Sequence, residues 1–300
     1  MSDAVVIGEC MVEMGLAGEG QARLGYAGDT FNTAVYLSRL GVRTAYGTAV
    51  GKGDPFSGAI LQLMADEGLD ASFVVQAEGR LPGLYAIEVD EAGERRFFYW
   101  RQNAPARDYL DLVDRAALTA ALAKAKLAYV SAITLAILGE GGRAALLPLL
   151  AAARDMGAGL VLDTNYRARL WPGPDAARAA IEALAPLCRY VSLSTADLAD
   201  FGLDAEACAA EWAAAGAEVV LRREDRSLAV LTAAGAEAFP APAPISVVDT
   251  TGAGDSFNAG YLAARLRGRS VAEAVAAARR LAETVVAHRG AIIPKSAMPR

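Results

Sequence analysis

Asp249-Thr-Thr-Gly-Ala-Gly-Asp255, followed by Ser256-Phe-Asn-Ala-Gly-Tyr-Leu-Ala-Ala-Arg-Leu266, is the stretch on which the reading of this chain turns. Ile245–Val248 reads as a strand and Ser256–Leu266 as the helix that follows. Gly252, Ala253 and Gly254 then form a tight turn that opens a helix. A helix N-terminus leaves backbone N–H groups unpaired and carries the positive end of the dipole, so it suits an anion. Two glycines let a bulky phosphate approach the backbone. Asp255 falls in the same first turn. A carboxylate is a poor ligand for phosphate, because like charges repel, but a good base for a hydroxyl that attacks it. The plain alternative is an ordinary turn whose acidic residue caps the helix.

Composition narrows the classes. The chain has 300 residues, of which 54% are apolar, enough for a large core in one α/β domain with an appendage. A formal charge of −6 argues against nucleic acid or an anionic membrane as the partner. No basic segment precedes an apolar run at the N-terminus, and no apolar run reaches spanning length; the expected location is the cytoplasm. Cys10, Cys188 and Cys208 are too widely spaced for a disulfide framework or a CxxC motif. With His288 as the lone histidine, a histidine-rich zinc site is impossible. His288 reads as a helix-end residue that complements the dipole, or one that borders a nucleotide pocket. There is no Walker A motif and no Gly-x-Gly-x-x-Gly after the first strand, which counts against P-loop kinases and dinucleotide oxidoreductases.

Strand-like and helix-like segments alternate as in a parallel sheet with crossover helices. Ala4–Ile7, Thr44–Val50, Leu127–Ser131, Gly159–Asp163 and Tyr190–Leu193 read as strands; Thr33–Leu40, Arg143–Met156 and Asp175–Leu184 carry helical spacing. Pro148 should start or kink the second of these helices. Gly41 and Gly157 fit helix ends. Ser270 and Glu273 form a capping box for a helix through about Val286. One region breaks the rhythm: Leu84–Val89 and Arg95–Arg101 are strands joined by Asp90-Glu-Ala-Gly-Glu94, a hairpin without helices of its own.

The Asp249–Asp255 string with Ser256-Phe257 closely resembles the C-terminal signature of the ribokinase (PfkB) family of carbohydrate kinases. Val6-Ile-Gly-Glu-Cys-Met-Val-Glu13 is similar to that family's first strand, and Ala27-Gly-Asp-Thr-Phe-Asn-Thr-Ala-Val-Tyr-Leu37 to its sugar-binding turn and helix. The resemblance covers nearly the whole chain. It implies an α/β ribokinase-like fold, a central, mostly parallel sheet flanked by helices. Residues 1–300 would form one kinase domain, with a small β-lid built mainly from about 10–26 and 80–103. The lid would cover the sugar and carry the contact of a homo-oligomer. Within the family, Arg80-Leu-Pro-Gly-Leu-Tyr85, Phe98-Tyr-Trp-Arg101 and Arg289-Gly-Ala-Ile-Ile-Pro294 resemble the branch that acts on 2-keto-3-deoxygluconate.

The implied activity is transfer of the ATP γ-phosphate to the 6-hydroxyl of that sugar acid. Asp255 would be the base, and Gly252, Ala253 and Gly254 would hold the phosphate charge. Asp29 and Asn32 stand three apart at a helix start, so their side chains can converge on sugar hydroxyls; capping by Asp29 competes with that role. With Gly28 they form the sugar turn, in which Ala27 stands where the family usually has glycine. Arg101 and Arg167 would grip the carboxylate through paired hydrogen bonds, with Tyr85 and Tyr99 beside the sugar chain or packed within the lid. On the nucleotide side the expected residues are Asn165, Ser194, Gly252 and Gly254, with His288 at the pocket's border and Arg222 and Arg223 in a loop that departs from the family. Its metal-associated Asn-x-x-Glu corresponds to Ser194-Thr-Ala-Asp197, so Asp197 would act on Mg²⁺ through water. Some family members also bind a monovalent cation near Asp249.

One departure stands out. After the strand Glu218–Leu221 the family reads Lys-x-Gly, whereas this chain has Arg222, Arg223, Glu224, Asp225 and Arg226. The loop could stand further from the nucleotide, the arginines could take over the phosphate contacts, or they could form surface ion pairs with Glu224 and Asp225. The intact anion turn and base favour phosphate contacts shifted to arginine. The rival functions are the same chemistry on a neutral ketose or another sugar acid, and a non-catalytic sugar or nucleotide sensor on the same fold.

Overall fold

The computed structural model describes residues 2–16, 20–89, 95–200 and 202–299. Its strands are β1 (Ala4–Ile7), β2 (Met11–Leu16), β3 (Ala22–Ala27), β4 (Thr44–Gly51), β5 (Asp70–Ala77), β6 (Leu84–Val89) and β7 (Arg95–Trp100). They continue with β8 (Leu127–Ser131), β9 (Gly159–Asp163), β10 (Tyr190–Ser194), β11 (Glu218–Arg222), β12 (Leu228–Thr232) and β13 (Gly235–Phe239). The helices are α1 (Asp29–Arg39), α2 (Pro55–Asp66), α3 (Tyr109–Leu112), α4 (Arg115–Leu122), α5 (Ala132–Ile137) and α6 (Gly139–Asp155). The last are α7 (Pro174–Leu184), α8 (Thr195–Ala199), α9 (Ala205–Ala214), α10 (Ala253–Leu266) and α11 (Val271–Val286).

A nine-stranded sheet runs in the order β13-β12-β11-β10-β9-β8-β1-β4-β5. Only the β11-β12-β13 edge is antiparallel. Strands β1, β8 and β9 are buried along their whole length, as parallel strands covered on both faces must be. One face packs against α4, α6, α7 and α9 through residues such as Leu118, Leu146, Ile181 and Trp212. The other face packs against α1, α10 and α11 through Phe31, Tyr261, Leu281 and Val285. From β1 the chain builds outward to β4 and β5 on one side and to β8 through β11 on the other. The strand order therefore reverses between β1 and β8, and ligands of open α/β sheets bind outside the strand C-termini at such a point.

Immediately after β1 the chain leaves this sheet and enters a second one, four-stranded, in the order β3-β2-β6-β7. β6 and β7 pair antiparallel as expected, from Leu84↔Trp100 to Val89↔Arg95, and β6 also pairs parallel with β2. The Asp90–Glu94 turn lies outside the described residues.

One local expectation fails outright. Ile245–Val248 forms no strand. Pro240, Pro242 and Pro244 precede it, and each lacks the N–H that a ladder needs. The segment is tied instead to the end of α11, where the amides of Val248 and Asp249 donate to the Val286 carbonyl at 2.8 and 3.1 Å. Pro148 lies inside α6, which begins at Gly139, so the proline does not start that helix. The α11 capping box is present as read: the Ser270 hydroxyl accepts from the Glu273 amide, and the Glu273 carboxylate accepts from the Ser270 amide.

Candidate active site

A cavity of about 1040 Å³ opens at the C-terminal ends of β1, β8, β9, β10 and β11, beneath the small sheet. That is just above the roughly 300–1,000 Å³ typical of one small-molecule site, so it has room for two reactants. Its wall draws on distant parts of the chain: Glu9, Asp29, Asn32, Tyr85, Arg101 and Asp163 among the earlier residues, and Ser194, Asp197, Arg222 and Asp255 among the later ones.

The anion turn is built as a helix start. Gly252 takes φ 77°, a left-handed conformation that strains any side chain, and a Cβ there would lie 2.7 Å from the Ala291 carbonyl oxygen. At Gly254 a Cβ would come within 2.9 Å of Arg222 Nη1, so glycine leaves room for the guanidinium at the turn. The Asp249 carboxylate fixes the turn by accepting from the amides of Thr251 (2.8 Å) and Gly290 (2.9 Å).

Asp255 sits in the first turn of α10, buried, and accepts from Asn32 Nδ2 at 2.8 Å. Burial, the Asp29 charge and the Asp163 charge push its carboxyl well above the usual range; the Asn32 hydrogen bond and Arg222 oppose them. Asp29 in turn accepts from Asn165 Nδ2 at 3.3 Å. The two ends of the chain thus meet: the α1 and α10 N-termini converge on one point.

Asp163, at the end of β9, was missed as a site residue although it ends a strand just where ligands bind. It is buried and accepts from Asn258 Nδ2 (2.9 Å), the Tyr129 hydroxyl (3.3 Å) and Arg222 Nη2 (3.4 Å). Burial raises its carboxyl to about 6, with Arg222 pulling down and Asp197 and Asp29 pushing up. Asp197 accepts from Thr164 Oγ1 at 2.9 Å and is likewise raised by burial.

The arginines divide. Arg222 lines the cavity, whereas Arg223 lies outside it and pairs with Glu206 at 2.7 Å. Successive residues at a strand end point to opposite faces, so only one of the pair can face the anion turn. His288 also lies outside the cavity, its Nδ1 within 2.8 Å of the Thr284 carbonyl in a helix-end contact. Arg101 is ion-paired with Glu9, both buried at 6% and 3% exposure. Glu9 carries no sequence signal of its own, since its partner is distant in the chain. Arg167 is exposed at the cavity wall and donates to the Tyr166 carbonyl at 2.7 Å. Tyr85 and Tyr99 stack with ring centres 5.7 Å apart, and the Tyr85 hydroxyl donates to Glu13. Gly28, Asn165 and Ser194 also line the cavity.

The model of the pfkB family carbohydrate kinases matches residues 1–298. A 2-dehydro-3-deoxygluconokinase of Escherichia coli K12 is 39% identical over 98% of this chain and 98% of its own. One from Dickeya dadantii is 38% identical over 98% and 97%. The crystal structure of a 2-dehydro-3-deoxygluconokinase from Thermotoga maritima superposes with a TM-score of 0.84 at 19% identity, over 98% of this chain and 96% of that one. So does an E. coli protein described as a putative ribokinase II in complex with ATP and Mg²⁺, with a TM-score of 0.84 at 21% identity over 97% and 94%. These two structures bear on the fold alone.

Proposed function

The chain belongs to the pfkB family of carbohydrate kinases, and we propose that within it this protein transfers the γ-phosphate of ATP to the 6-hydroxyl of 2-keto-3-deoxygluconate. The observation that carries the reading is the meeting of Asp255, Asn32 and the Gly252–Gly254 turn in one cavity whose wall also holds Arg101 and Arg167. The relatives of 38–39% identity, aligned over nearly their whole length, are named 2-dehydro-3-deoxygluconokinase.

In this mechanism Asp29 and Asn32 hold sugar hydroxyls, and Asp255 takes the proton of the attacking 6-hydroxyl. Its raised affinity for protons makes it a stronger acceptor than an ordinary carboxylate. The backbone N–H groups at the α10 N-terminus and Arg222 meet the charge on the transferring phosphoryl. The small sheet acts as a lid that excludes water. Arg167 faces the sugar carboxylate, while the Glu9 partnership of Arg101 assigns Arg101 to shaping that end of the cavity.

Asp29, Asp163, Asp197 and Asp255 share the cavity with Arg222. A nucleoside triphosphate added to that wall calls for a divalent counter-ion. Among the described residues no three His, Cys, Asp or Glu side chains group to hold a metal by themselves. That donor set fits Mg²⁺ carried on phosphate oxygens and water, with Asp163 and Asp197 as outer partners. Bound Mg²⁺ would neutralise charge on the phosphates. A monovalent cation beside the Asp249 turn belongs to the same proposal.

A coupled ADP-release assay with the purified protein, run on 2-keto-3-deoxygluconate, fructose, ribose and gluconate, tests the reading. Turnover on the keto-deoxy acid well above the neutral sugars is the expected result. A preference for a neutral ketose would overturn the substrate, and no turnover on any sugar would favour a sensor.

A further inference from the structure

Arg169 belongs to the main body, in the short turn that follows β9, yet the group it touches belongs to the small sheet. Its guanidinium carbon lies 3.7 Å from the centre of the Tyr99 ring, close enough for flat stacking. Tyr99 stacks on Tyr85 with ring centres 5.7 Å apart and 23° between planes, and the Tyr85 hydroxyl reaches Glu13 of β2. Contact therefore runs without a break from the main body through β7 and β6 to β2. Arg169, Tyr99 and Tyr85 all line the cavity. A planar cation over an aromatic face gains from both the ring quadrupole and stacking, and lysine reproduces only the first of these.

We propose that Arg169 is a positioning residue that clasps the small sheet over the sugar by stacking on Tyr99, rather than a ligand of the sugar's carboxylate. The proposal rests on the sugar-kinase reading above and adds a separate role beside that of Arg167. A ligand that needs the closed sheet binds more weakly in proportion to the closed fraction. Loss of the clasp therefore lowers affinity for every sugar alike. Chemistry within the closed complex is left as it was, because Asp255 and the anion turn lie on the main body.

The test uses the full-length protein with Arg169→Ala and Arg169→Lys. In Arg169→Ala the KM for every sugar turned over should rise about tenfold, equivalent to about 1.4 kcal/mol, and in Arg169→Lys by a smaller factor because the charge over the ring is kept, with kcat changed less than about twofold in both. Without any ligand, backbone amides of β6 and β7 should exchange hydrogen faster in both variants than in the wild type, while those of β8 and β9 stay unchanged. The exchange arm stands even if the substrate is misassigned, so failure of the clasp and failure of the sugar-acid reading are separable. An Arg169→Ala loss confined to acidic sugars and restored by Arg169→Lys would make Arg169 a carboxylate ligand and overturn the clasp. Unchanged exchange with unchanged KM would overturn it as well.

Discussion

At the scale of single residues, the site is a balance of charge around Asp255. Burial and the neighbouring Asp29 carboxylate raise its proton affinity, and Asn32 opposes them. A base works in its ionised form, so activity is present above the raised pKa and lost as pH falls through it. The acidic limb of kcat/KM should accordingly lie above the ordinary carboxylate range near 4. In Asp29→Asn a like charge disappears, and the limb should move to lower pH whatever happens to the height of the profile; a limb that stays put would show that Asp29 does not set the pKa. Asp255→Asn keeps the shape of the side chain and one oxygen that can accept from Asn32, but it cannot take the proton. Turnover should fall by roughly 10²-fold or more while the thermal midpoint holds, as expected for loss of a general base. Near-normal turnover would remove Asp255 from that role.

Among the elements, α10 matters most, because its N-terminus is the anion site and its first turn carries the base. It is held from two directions. The α11 end fixes the chain ahead of the turn through Val286, and Asp249 binds the Gly290 amide. Gly252→Ala should both destabilise the fold by about 1–2 kcal/mol, the cost of a left-handed residue with a Cβ, and displace the turn from Ala291. In urea denaturation its midpoint should fall, and in kinetics the KM for ATP should rise. Ser270→Ala gives the contrast. It removes half of the α11 capping box at the helix end remote from Gly290, and caps are worth about 1 kcal/mol. Its urea midpoint should fall while both KM values stay at wild type; altered kinetics there would mean that α11 transmits strain to the turn.

For the whole molecule, the proposed specificity and the proposed self-association both rest on the small sheet. If Arg167 faces the sugar carboxylate, Arg167→Ala should lower kcat/KM for the acid far more than for a neutral sugar. Truncating one partner of a charged hydrogen bond costs about 2–4 kcal/mol, or some 30- to 1000-fold. Equal losses on both substrates would assign Arg167 to structure. The outer face of the small sheet leaves Leu24, Phe98 and Trp100 exposed, Trp100 at 59%. If the protein self-associates as proposed, this face is the one it would cover. Trp100→Glu should then lower the sedimentation mass toward the monomer, and a wild type that is itself monomeric would end that reading.

Much of the architecture was legible in the sequence alone. The bounds of β1, β8 and β9 and the Ser270–Glu273 cap follow from apolar runs and hydrogen bonds between near neighbours, which short windows contain. The Gly252–Asp255 turn and the Asp29–Asn32 helix start are local too, so their residues could be named from spacing. Ile245–Val248 misled because its apolar run is strand-like while a strand exists only where another strand pairs with it; here the prolines upstream and the α11 carbonyl take its place. The tertiary structure alone decided which charges meet. Glu9 finds Arg101, Asp163 gathers Tyr129, Asn258 and Arg222, Arg169 reaches Tyr99, and Arg223 turns away to Glu206. Periodicity and capping act within a few residues along the chain. Buried charge must be compensated in space, and its partners come from whichever strand ends the sheet order brings together.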